Sequence, residues 1–517
     1  MSVAHATRRQ FLSTLAGAAP AFARKRDRRP NVIVLFADDM GYSDIGCYGS
    51  EIATPNIDRI GAGGIRFTQF YNNAVCCPSR ASILTGLYPH QAGVGENRRF
   101  PQHPAYRGVL NDRCVTIAEV LRPAGYRTWM SGKWHLGSTR PHWPIDHGFD
   151  HYFGLLSGAS NYFRLDPPRK MALDSEPFVP SGRFYMTDAF TDHAMKCLEE
   201  SHQNGKPFFL YLAYTAPHDP LHAWPEDIAR YRGKYMVGWD ELRRRRYRRQ
   251  LQLGIIRHRW ALSPRDPDSP AWDTVREKDR QDLSMAVYAA MVSRLDWNIG
   301  RLLSRLQRLG MEQNTMVLFL SDNGACAEFV NEGKPGAPPG DIDSNLSYGL
   351  PWANLSNTPF RLFKECVHEG GIATPLIVRW PDRLRSSGGL IHEPGHLIDI
   401  MPTCLDAAGV PYPADFAGRN LIAPEGRSLL PLIQSGSRPK QIDFFFEHQG
   451  NRAVRRDKWK LVSKYPGAWE LYDLEADRTE LHSLVGQMPQ QVRDLEFAHE
   501  AWRRRCGVVP WQTLTAK

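Results

Sequence analysis

Two pairs of residues with oxygen-bearing side chains stand just beyond apolar runs of the sequence: Asp38 with Asp39, and Asp322 with Asn323. All four side chains offer oxygen atoms as ligands, and hard oxygen ligands suit Ca²⁺ or Mg²⁺ better than zinc. Carboxylates held together in a dry place also repel each other unless a cation lies between them. The pattern predicts a divalent-cation site; the alternative is that both pairs form Asx turns that cap helices.

Cationic side chains and two histidines would complete a site for a small tetrahedral oxyanion. Arg80, Lys133 and Lys364 supply fixed positive charge, which suits such an anion when it is combined with a divalent metal. His135 and His218 can exchange protons near neutral pH. A lone histidine or aspartate at a strand end is more often a satisfied loop residue, but together these residues indicate acid–base chemistry on an anionic substrate.

The stretch AVCCPSRASILTG at residues 74–86 offers a candidate nucleophile. Pro78 suits the first turn of a helix that continues through SRASILTG. A residue just before that turn points at the helix N-terminus, where negative charge is favoured. One of the adjacent cysteines, Cys76 or Cys77, is therefore expected at the anion site.

Four apolar runs must position these residues. They are NVIVLF at 31–36, YRTWMS at 126–131, PFFLYLAY at 207–214 and TMVLFL at 315–320, of which YRTWMS is the least apolar. Such runs are typical of strands buried on both faces, and an amphipathic helical pattern over 287–310 lies between two of them. Alternating strands and helices predict an α/β sheet, whose ligands bind beyond the carboxyl ends of the strands. This rule places the ionisable residues at one edge of the sheet.

The texture of the sequence changes after about residue 425. Residues 443–474 contain short β-rich runs broken by glycine, asparagine and proline, which predicts a small antiparallel sheet. We expect a catalytic α/β domain at 31–424 and a C-terminal α+β subdomain at 425–517.

The first residues of the chain are typical of an export signal. Arg8 and Arg9 precede a short apolar stretch and a small-x-small cleavage motif at 21–23. This is the pattern of a bacterial twin-arginine signal at 1–23, followed by a charged linker at 24–30. The alternative is a disordered basic tail. We expect a mature protein that is periplasmic or extracellular.

Composition narrows the class of protein. The chain has 517 residues and a formal net charge of +10. A positive net charge is found in proteins that bind nucleic acid, and it also suits a protein that handles anionic small substrates. No run approaches the roughly 18 consecutive apolar residues of a membrane helix. The basic run at 242–250, LRRRRYRRQ, predicts a solvated helix face, and we expect no nucleic-acid partner. The chain has nine cysteines and no CxxC pair, which argues against a zinc ribbon and a disulfide scaffold. For the seven cysteines other than Cys76 and Cys77, two interpretations stay open: buried thiols, or disulfides formed after export.

Six blocks of the chain resemble, in order, the active-site blocks of the sulfatase family. CCPSRASILTG resembles the first sulfatase signature and GYRTWMSGKWHLG resembles the second. The other blocks are ADDMG, APHDP, SDNG and KECVHEGG, and the likeness spans roughly residues 30–480. The first signature needs a proline two places and an arginine four places after its cysteine. Cys76 satisfies this with Pro78 and Arg80, whereas Cys77 does not.

The resemblance implies a formylglycine-dependent, type I sulfatase with an alkaline phosphatase-like fold. That fold is a large, mixed, mostly parallel sheet sandwiched by helices, with a smaller C-terminal antiparallel sheet. It further implies that a formylglycine-generating enzyme oxidises Cys76 to an aldehyde whose hydrate is the nucleophile, and that one Ca²⁺, or alternatively Mg²⁺, is bound. The implied metal ligands are Asp38, Asp39, Asp322, Asn323 and residue 76 itself.

The resemblance also implies a role for each remaining residue. Arg80 would hold the hydrate, and Lys133 and Lys364 would bind sulfate oxygens. His218 would assist the leaving group, while His135 would deprotonate the second hydroxyl of the sulfated hydrate so that sulfate is expelled. The expected reaction is hydrolysis of a sulfate ester to an alcohol or phenol and inorganic sulfate.

The substrate is less closely defined. YMVGWDEL, LSPRDPDSPAWDTV and YGLPWANLSNTPFRLFKECVHEGG resemble the bacterial arylsulfatase branch and imply aryl sulfates as convenient substrates. The natural ester, a small molecule or a glycan, depends on loops. Three alternatives stay open: a phosphodiester or phosphonate monoester hydrolase using the same aldehyde, a non-catalytic binder of sulfated glycans, and an enzyme with a thiolate nucleophile at Cys76.

Overall fold

The structure is a computed structural model, and it describes residues 29–384, 388–437 and 443–516. The expected twin-arginine signal at 1–23 lies outside the described residues, as does the expected linker at 24–30 except for its last two residues.

The described chain forms strands and helices in alternation. The strands are β1 (Asn31–Ala37), β2 (Ile65–Tyr71), β3 (Arg127–Gly132), β4 (His151–Leu155), β5 (Met171–Leu173), β6 (Glu176–Phe178), β7 (Phe208–Ala213), β8 (Thr315–Ser321), β9 (Asn331–Gly333), β10 (Ser344–Leu346), β11 (Ala373–Arg379), β12 (Gly389–Ile391), β13 (Gly395–His396), β14 (Asp415–Phe416), β15 (Arg419–Asn420), β16 (Phe444–His448), β17 (Asn451–Arg456), β18 (Trp459–Ser463) and β19 (Glu470–Asp473). The α-helices are α1 (Pro55–Ala62), α2 (Cys76–Thr85), α3 (Ile117–Leu121), α4 (Met186–Asn204), α5 (Pro225–Ala229), α6 (Trp239–Gln252), α7 (Lys278–Arg308), α8 (Leu350–Ser356), α9 (Glu369–Ile372), α10 (Ile400–Ala408), α11 (Leu430–Ser435), α12 (Pro489–Cys506) and α13 (Trp511–Thr515).

A large mixed sheet forms the centre of the molecule. Its strands follow the order β12-β2-β11-β8-β1-β7-β3-β4-β5-β6, with β13 also paired to β2. The central strands β8, β1, β7, β3 and β4 are all parallel, whereas β11 runs antiparallel to both of its neighbours. The four apolar runs of the sequence correspond to β1, β3, β7 and β8. The predicted α/β fold, mostly parallel and alkaline phosphatase-like, is therefore confirmed.

Helices cover both faces of this sheet because its central strands are apolar on both sides. In β1, Ile33 and Leu35 belong to the core that includes α4 and α7. The alternate residues Val32, Val34 and Phe36 belong to the core on the opposite face, which includes α2, α3 and α10. Successive side chains of a strand point to opposite faces, so a continuous apolar run requires a cover on each.

The helix predicted over 287–310 is α7, which begins earlier, at Lys278, and ends at Arg308. Its first turns carry several charged residues, so the apolar periodicity that marks the rest of the helix is weak there. Gly310 follows the helix in the left-handed conformation (φ 64°), as expected of a residue that stops a helix.

The arginine run at 242–250 lies on α6, and the prediction of a solvated face is only partly right. Four of its six arginines are exposed, but Arg243 and Arg246 are buried. Arg246 forms ion pairs with Asp44 (2.7 Å) and Glu51 (2.8 Å). One turn of α6 therefore faces the core, and charge alone could not reveal this because the partners are distant in sequence.

The predicted small antiparallel sheet is also present. It consists of β16-β17-β18-β19, and α12 packs against β17 and β18. All nine cysteines lie among the described residues as free thiols, eight of them buried and Cys47 half-buried. In the described part of the chain, no helix has both the length and the apolar character needed to cross a membrane.

A buried ion cluster joins the antiparallel sheet to the main sheet. Glu369, the first residue of α9, accepts hydrogen bonds from Lys460 of β18 (2.9 Å), Arg478 (3.0 Å) and the Tyr71 hydroxyl (3.0 Å). Lys460 also lies 2.8 Å from Glu480. Burial alone would raise the pKa of Glu369, but Lys460 and Arg478 outweigh it and lower that pKa from 4.5 to about 2. The cluster therefore stabilises the fold above pH 4.5 and loses this contribution as the pH falls through about 2.

We predict that Lys460→Met lowers the free energy of unfolding by about 3–5 kcal/mol, because it removes the buried cation shared by Glu369 and Glu480 and leaves Glu369 with Arg478 alone. Urea denaturation at neutral pH measures this change. The matched control is Lys458→Met, which removes a partly exposed lysine that pairs with Asp473 (2.8 Å). That control should lower the free energy of unfolding by no more than about 1 kcal/mol. Equal effects of the two substitutions would contradict the account of the cluster.

Candidate active site

The carboxyl ends of four neighbouring parallel strands meet at one edge of the main sheet. Their order is β8-β1-β7-β3, and a polar segment follows each strand. The residues that these segments carry are Asp322 and Asn323 after β8, Asp38 and Asp39 after β1, His218 after β7, and Lys133 and His135 after β3. The structure thus brings to one place the residues that the sequence distributes over most of the chain.

The acidic residues form a compact buried group. The backbone N–H of Asp39 donates to Asp322 Oδ1 (3.1 Å), and Asn323 Nδ2 donates to Asp39 Oδ1 (2.6 Å). Asp39 itself adopts a left-handed conformation (φ 64°), which a short polar side chain tolerates better than most. Asp38, Asp322 and Asn323 are fully buried.

A candidate metal site lies at this group. Ligand atoms of Asp38, Asp39, Cys76 and His218 all lie within 4.8 Å of one another. Asn323 Oδ1 is buried and accepts no hydrogen bond from any described residue, which leaves it free to bind a cation. Burial raises the pKa of Asp38, so its ionised form would gain from a nearby positive charge.

Arg80 and Lys133 bring positive charge to the carboxylates of this group. Lys133 Nζ donates to Asp38 Oδ2 (2.6 Å), and Arg80 Nη2 donates to Asp322 Oδ2 (2.8 Å). Arg80 Nη1 also donates to the Lys133 carbonyl (3.0 Å), and the guanidinium lies over the ring of Phe36, 5.3 Å from its centre. Both cations are fully buried, so their charges are weakly screened.

Lys364 and His218 meet at Asp39. Lys364 Nζ donates to Asp39 Oδ2 (2.9 Å), and His218 Nε2 lies 3.5 Å from the same oxygen. His218 Nδ1 lies 2.8 Å from Asp219 Oδ1, which fixes the orientation of the ring. Burial alone would lower the pKa of His218, but Asp39 outweighs it and holds that pKa well above its usual value.

Cys76 is the first residue of α2, and Pro78 lies in the first turn of that helix, as predicted. The Cys76 thiol lies 3.5 Å from Asp38 Oδ1 and is buried. Burial alone would raise the pKa of Cys76, but Lys133 and Lys364 outweigh it and lower that pKa. The helix start therefore places this side chain among the cations and carboxylates.

Cys77 lies in a different environment although it is the next residue. Its thiol donates to the carbonyl of His135 (3.1 Å), and its backbone N–H donates to Asn97 Oδ1 (3.1 Å). Burial and the neighbouring Cys76 raise the pKa of Cys77. The two cysteines are therefore chemically distinct: the Cys76 thiol lies among the charged groups, and the Cys77 thiol is hydrogen-bonded to a backbone carbonyl.

The ring of His135 is held by close packing. Its backbone is left-handed (φ 57°), and its buried Nδ1 has no hydrogen-bond partner among the described residues. A Cβ atom on Gly158 would lie 2.5 Å from the His135 ring, so glycine is required there. Burial and the positive charge of Lys133 keep the pKa of His135 well below its usual value.

Three residues near the site were not singled out from the sequence. Asp219 orients His218 and stands beside it in the APHDP block, so that block could have indicated it. Tyr162 donates from its hydroxyl to the carbonyls of Thr215 (2.6 Å) and His218 (2.9 Å). Neither Tyr162 nor Gly158 belongs to a motif, and only the folded structure brings them to this edge.

Comparison with known proteins agrees with this geometry. A family model described as Sulfatase matches residues 30–410, and a model of the C-terminal part of N-sulphoglucosamine sulphohydrolase matches residues 360–500. An uncharacterized sulfatase of Schizosaccharomyces pombe is 36% identical over 93% of this chain and 95% of its own length. An arylsulfatase of Klebsiella aerogenes is 34% identical over 83% of this chain and 97% of its own.

A solved structure supports the same relationship. The crystal structure of Ps i-CgsB in complex with k-i-k-neocarrahexaose matches with a TM-score of 0.70 and 26% identity, and the match covers 92% of each chain. The family model spans more than half of the sequence, and two relatives above 30% identity are covered almost end to end. The chain belongs to the sulfatase family, whose members hydrolyse sulfate esters.

Proposed function

We propose that this sulfatase cleaves aryl-type sulfate esters at the site built around residue 76. One observation carries the proposal: the Cys76 sulfur at the start of α2 lies within 4.8 Å of ligand atoms of Asp38, Asp39 and His218, and Lys133 and Lys364 pair with those two carboxylates. An anionic ester would find there a nucleophile, a metal and fixed positive charges in a water-poor place, where electrostatic stabilisation is strongest.

We propose that Cys76 is converted to formylglycine by a formylglycine-generating enzyme. The hydrate of that aldehyde carries two hydroxyls, one to attack sulfur and one whose loss of a proton expels sulfate. The frame with Pro78 and Arg80 supports this assignment. So does Arg80 Nε, which is buried without a partner in the described chain and could donate to the hydrate.

A single Ca²⁺, or alternatively Mg²⁺, is the proposed metal. Oxygen atoms dominate the donor set, and such ligands suit these cations. Bound there, the cation would offset the carboxylate charge and polarise a sulfate oxygen. The residues proposed to hold it are Asp38, Asp39, Asp322, Asn323 and the modified residue 76.

Lys133 and Lys364 are the proposed sulfate ligands. Their ammonium groups donate to different carboxylates of the site, Lys133 to Asp38 (2.6 Å) and Lys364 to Asp39 (2.9 Å). Each ammonium has three donors, so each can hold its carboxylate and still donate to a sulfate oxygen. Charge-assisted hydrogen bonds of this kind are the strong ones.

The two histidines are proposed to move protons in different half-reactions. Asp219 anchors His218 Nδ1, so Nε2 faces the site and can protonate the departing alcohol or phenol. His135 has an Nδ1 that no described residue contacts by a hydrogen bond, so it can accept the proton of the second hydroxyl. These assignments follow the family resemblance and agree with the geometry.

Three further expectations remain proposals. The boundary between a catalytic domain at 31–424 and a subdomain at 425–517 is supported by the place where the main sheet ends, at His396, and the antiparallel sheet begins, at Phe444. Export by a twin-arginine signal at 1–23 is supported by the sequence pattern. The aryl preference is supported by the likeness to the Klebsiella arylsulfatase, while the oligosaccharide bound to the solved relative favours trying sulfated glycans as well.

Turnover of an aryl sulfate and of an aryl phosphate diester by the metal-loaded protein tests the proposed function. We predict that kcat/KM is higher for the sulfate. Cys76→Ala should lower it by about 10³ or more, since it removes the nucleophile. Cys77→Ala is the matched control and should retain most activity, because the Cys77 thiol only contacts a backbone carbonyl. Preference for the diester would favour the phosphodiester or phosphonate hydrolase instead. Sulfatase activity unaffected by Cys76→Ala would remove residue 76 from the reaction.

We predict that the metal is bound through Asp322. Chelation of the wild-type protein should abolish turnover, and Ca²⁺ or Mg²⁺ should restore it. Asp322→Asn keeps an acceptor for Arg80 but removes the charge, so elemental analysis should find well under the expected content of about one ion per chain. Asp273→Asn changes an exposed aspartate and should leave metal content unaltered. A full complement of metal in Asp322→Asn, or full activity after exhaustive chelation, would exclude this site.

A further inference from the structure

A cavity lies near the proposed active site. It has a volume of about 610 Å³, and its lining includes Phe163, Phe184, Trp224, Gly340 and Ile342. None of the proposed catalytic or metal-binding residues lines it. Its volume falls in the range of about 300–1,000 Å³ typical of small-molecule sites, which are mostly apolar with a few polar groups.

The aromatic wall is held in place by its own contacts. The rings of Phe163 and Trp224 meet edge to face, with centres 5.0 Å apart. The guanidinium of Arg183 lies over the Trp224 ring, 4.4 Å from its centre. Such contacts fix the orientation of the rings. A flat apolar ligand would therefore meet a surface that is already formed.

Two segments of the chain connect the lining of the cavity to the active site. Tyr162, the neighbour of Phe163, donates from its hydroxyl to the carbonyl of His218 (2.9 Å). Ala223 lines the cavity and follows His218 by five residues, which span at most about 18 Å of extended chain. A single elongated molecule can thus have one end near His218 and the other in the cavity.

Charged groups of the cavity lie at its edge. They are Arg183, Arg232 and Asp341, all of them exposed. Arg232 also borders an adjoining cavity of about 540 Å³. Its side chain forms no ion pair with any residue that the structure describes. The interior offers few partners for hydroxyl groups, so it suits an apolar ring system better than a sugar, whose buried hydroxyls would lack hydrogen bonds.

We propose that this cavity binds the apolar ring system of the alcohol half of a sulfate ester whose sulfate lies at the active site. The inference rests on the proposed sulfate ester hydrolysis and specifies the organic half of the substrate as a polycyclic alcohol or phenol. A single-ring aryl sulfate is too short to fill the cavity, so it should be cleaved with a higher KM.

The test fills the cavity from its exposed rim. Ala229, the last residue of α5, lines the cavity and is exposed, so Ala229→Trp adds bulk without disturbing the core. With the metal-loaded, modified enzyme, we expect the KM for the sulfate ester of a four-ring alcohol to rise at least about tenfold. The KM for nitrophenyl sulfate should stay unchanged. Ala501→Trp, at an exposed position of α12 that does not line this cavity, is the matched control and should alter neither value.

Other outcomes overturn the inference. If Ala229→Trp changes the KM equally for the four-ring ester and for nitrophenyl sulfate, or changes neither KM, the cavity does not hold this part of the substrate. If Ala229→Trp raises the KM for a sulfated oligosaccharide and not that for the four-ring ester, the occupant of the cavity is a sugar.

The unsulfated four-ring alcohol separates this inference from the proposed function. It should inhibit cleavage of nitrophenyl sulfate competitively, and calorimetry should show binding to the wild type that Ala229→Trp weakens. If the protein cleaves no sulfate ester, the proposed function fails, and calorimetry alone still decides the cavity. Absence of alcohol binding to the wild type would contradict the inference whatever the enzyme cleaves.

Discussion

Repulsion among three buried carboxylates governs the design of this site. Asp38, Asp39 and Asp322 stand at the ends of adjacent strands, almost completely removed from water, where like charges interact strongly. Three cations form ion pairs with these carboxylates. They are Arg80 of α2, Lys133 at the end of β3 and Lys364 in the loop before α9. The charges balance only when all of these elements are in place, so the site and the tertiary fold depend on each other. The same cations suit an anionic substrate.

The antiparallel sheet takes part in this arrangement. Asn451, at the start of β17, donates from its side chain to the carbonyl of Glu365 (3.1 Å), and the backbone N–H of Glu365 donates to the carbonyl of Ala74 (2.8 Å). Glu365 adjoins Lys364, and Ala74 lies two residues before Cys76. Both linking residues adopt left-handed backbones (φ 74° and 62°), which persist only where the surroundings hold them. The C-terminal sheet thus helps to fix the approach of the lysine to the nucleophile position.

Much of this architecture could be predicted because the signals are local. Continuous apolar runs mark β1, β7 and β8, and the polar residues that follow each run must meet at one edge of a parallel sheet. What could not be predicted depends on distant partners. The burial of Arg246 requires Asp44 and Glu51, and the packing of His135 requires the absence of a side chain at Gly158. The aromatic cavity is likewise made of segments far apart in the chain.

The central claim is that Cys76, and not Cys77, is the precursor of the nucleophile. The most direct measurement is the mass of the tryptic peptide 67–80 from active protein, with fragmentation to locate any change and reaction with a carbonyl-directed hydrazide. The account predicts a peptide that is lighter by sulfur and two hydrogens and heavier by one oxygen, with the aldehyde at residue 76 and an intact thiol at residue 77. An active enzyme with an unmodified, alkylation-sensitive Cys76, or an aldehyde at residue 77, would contradict it.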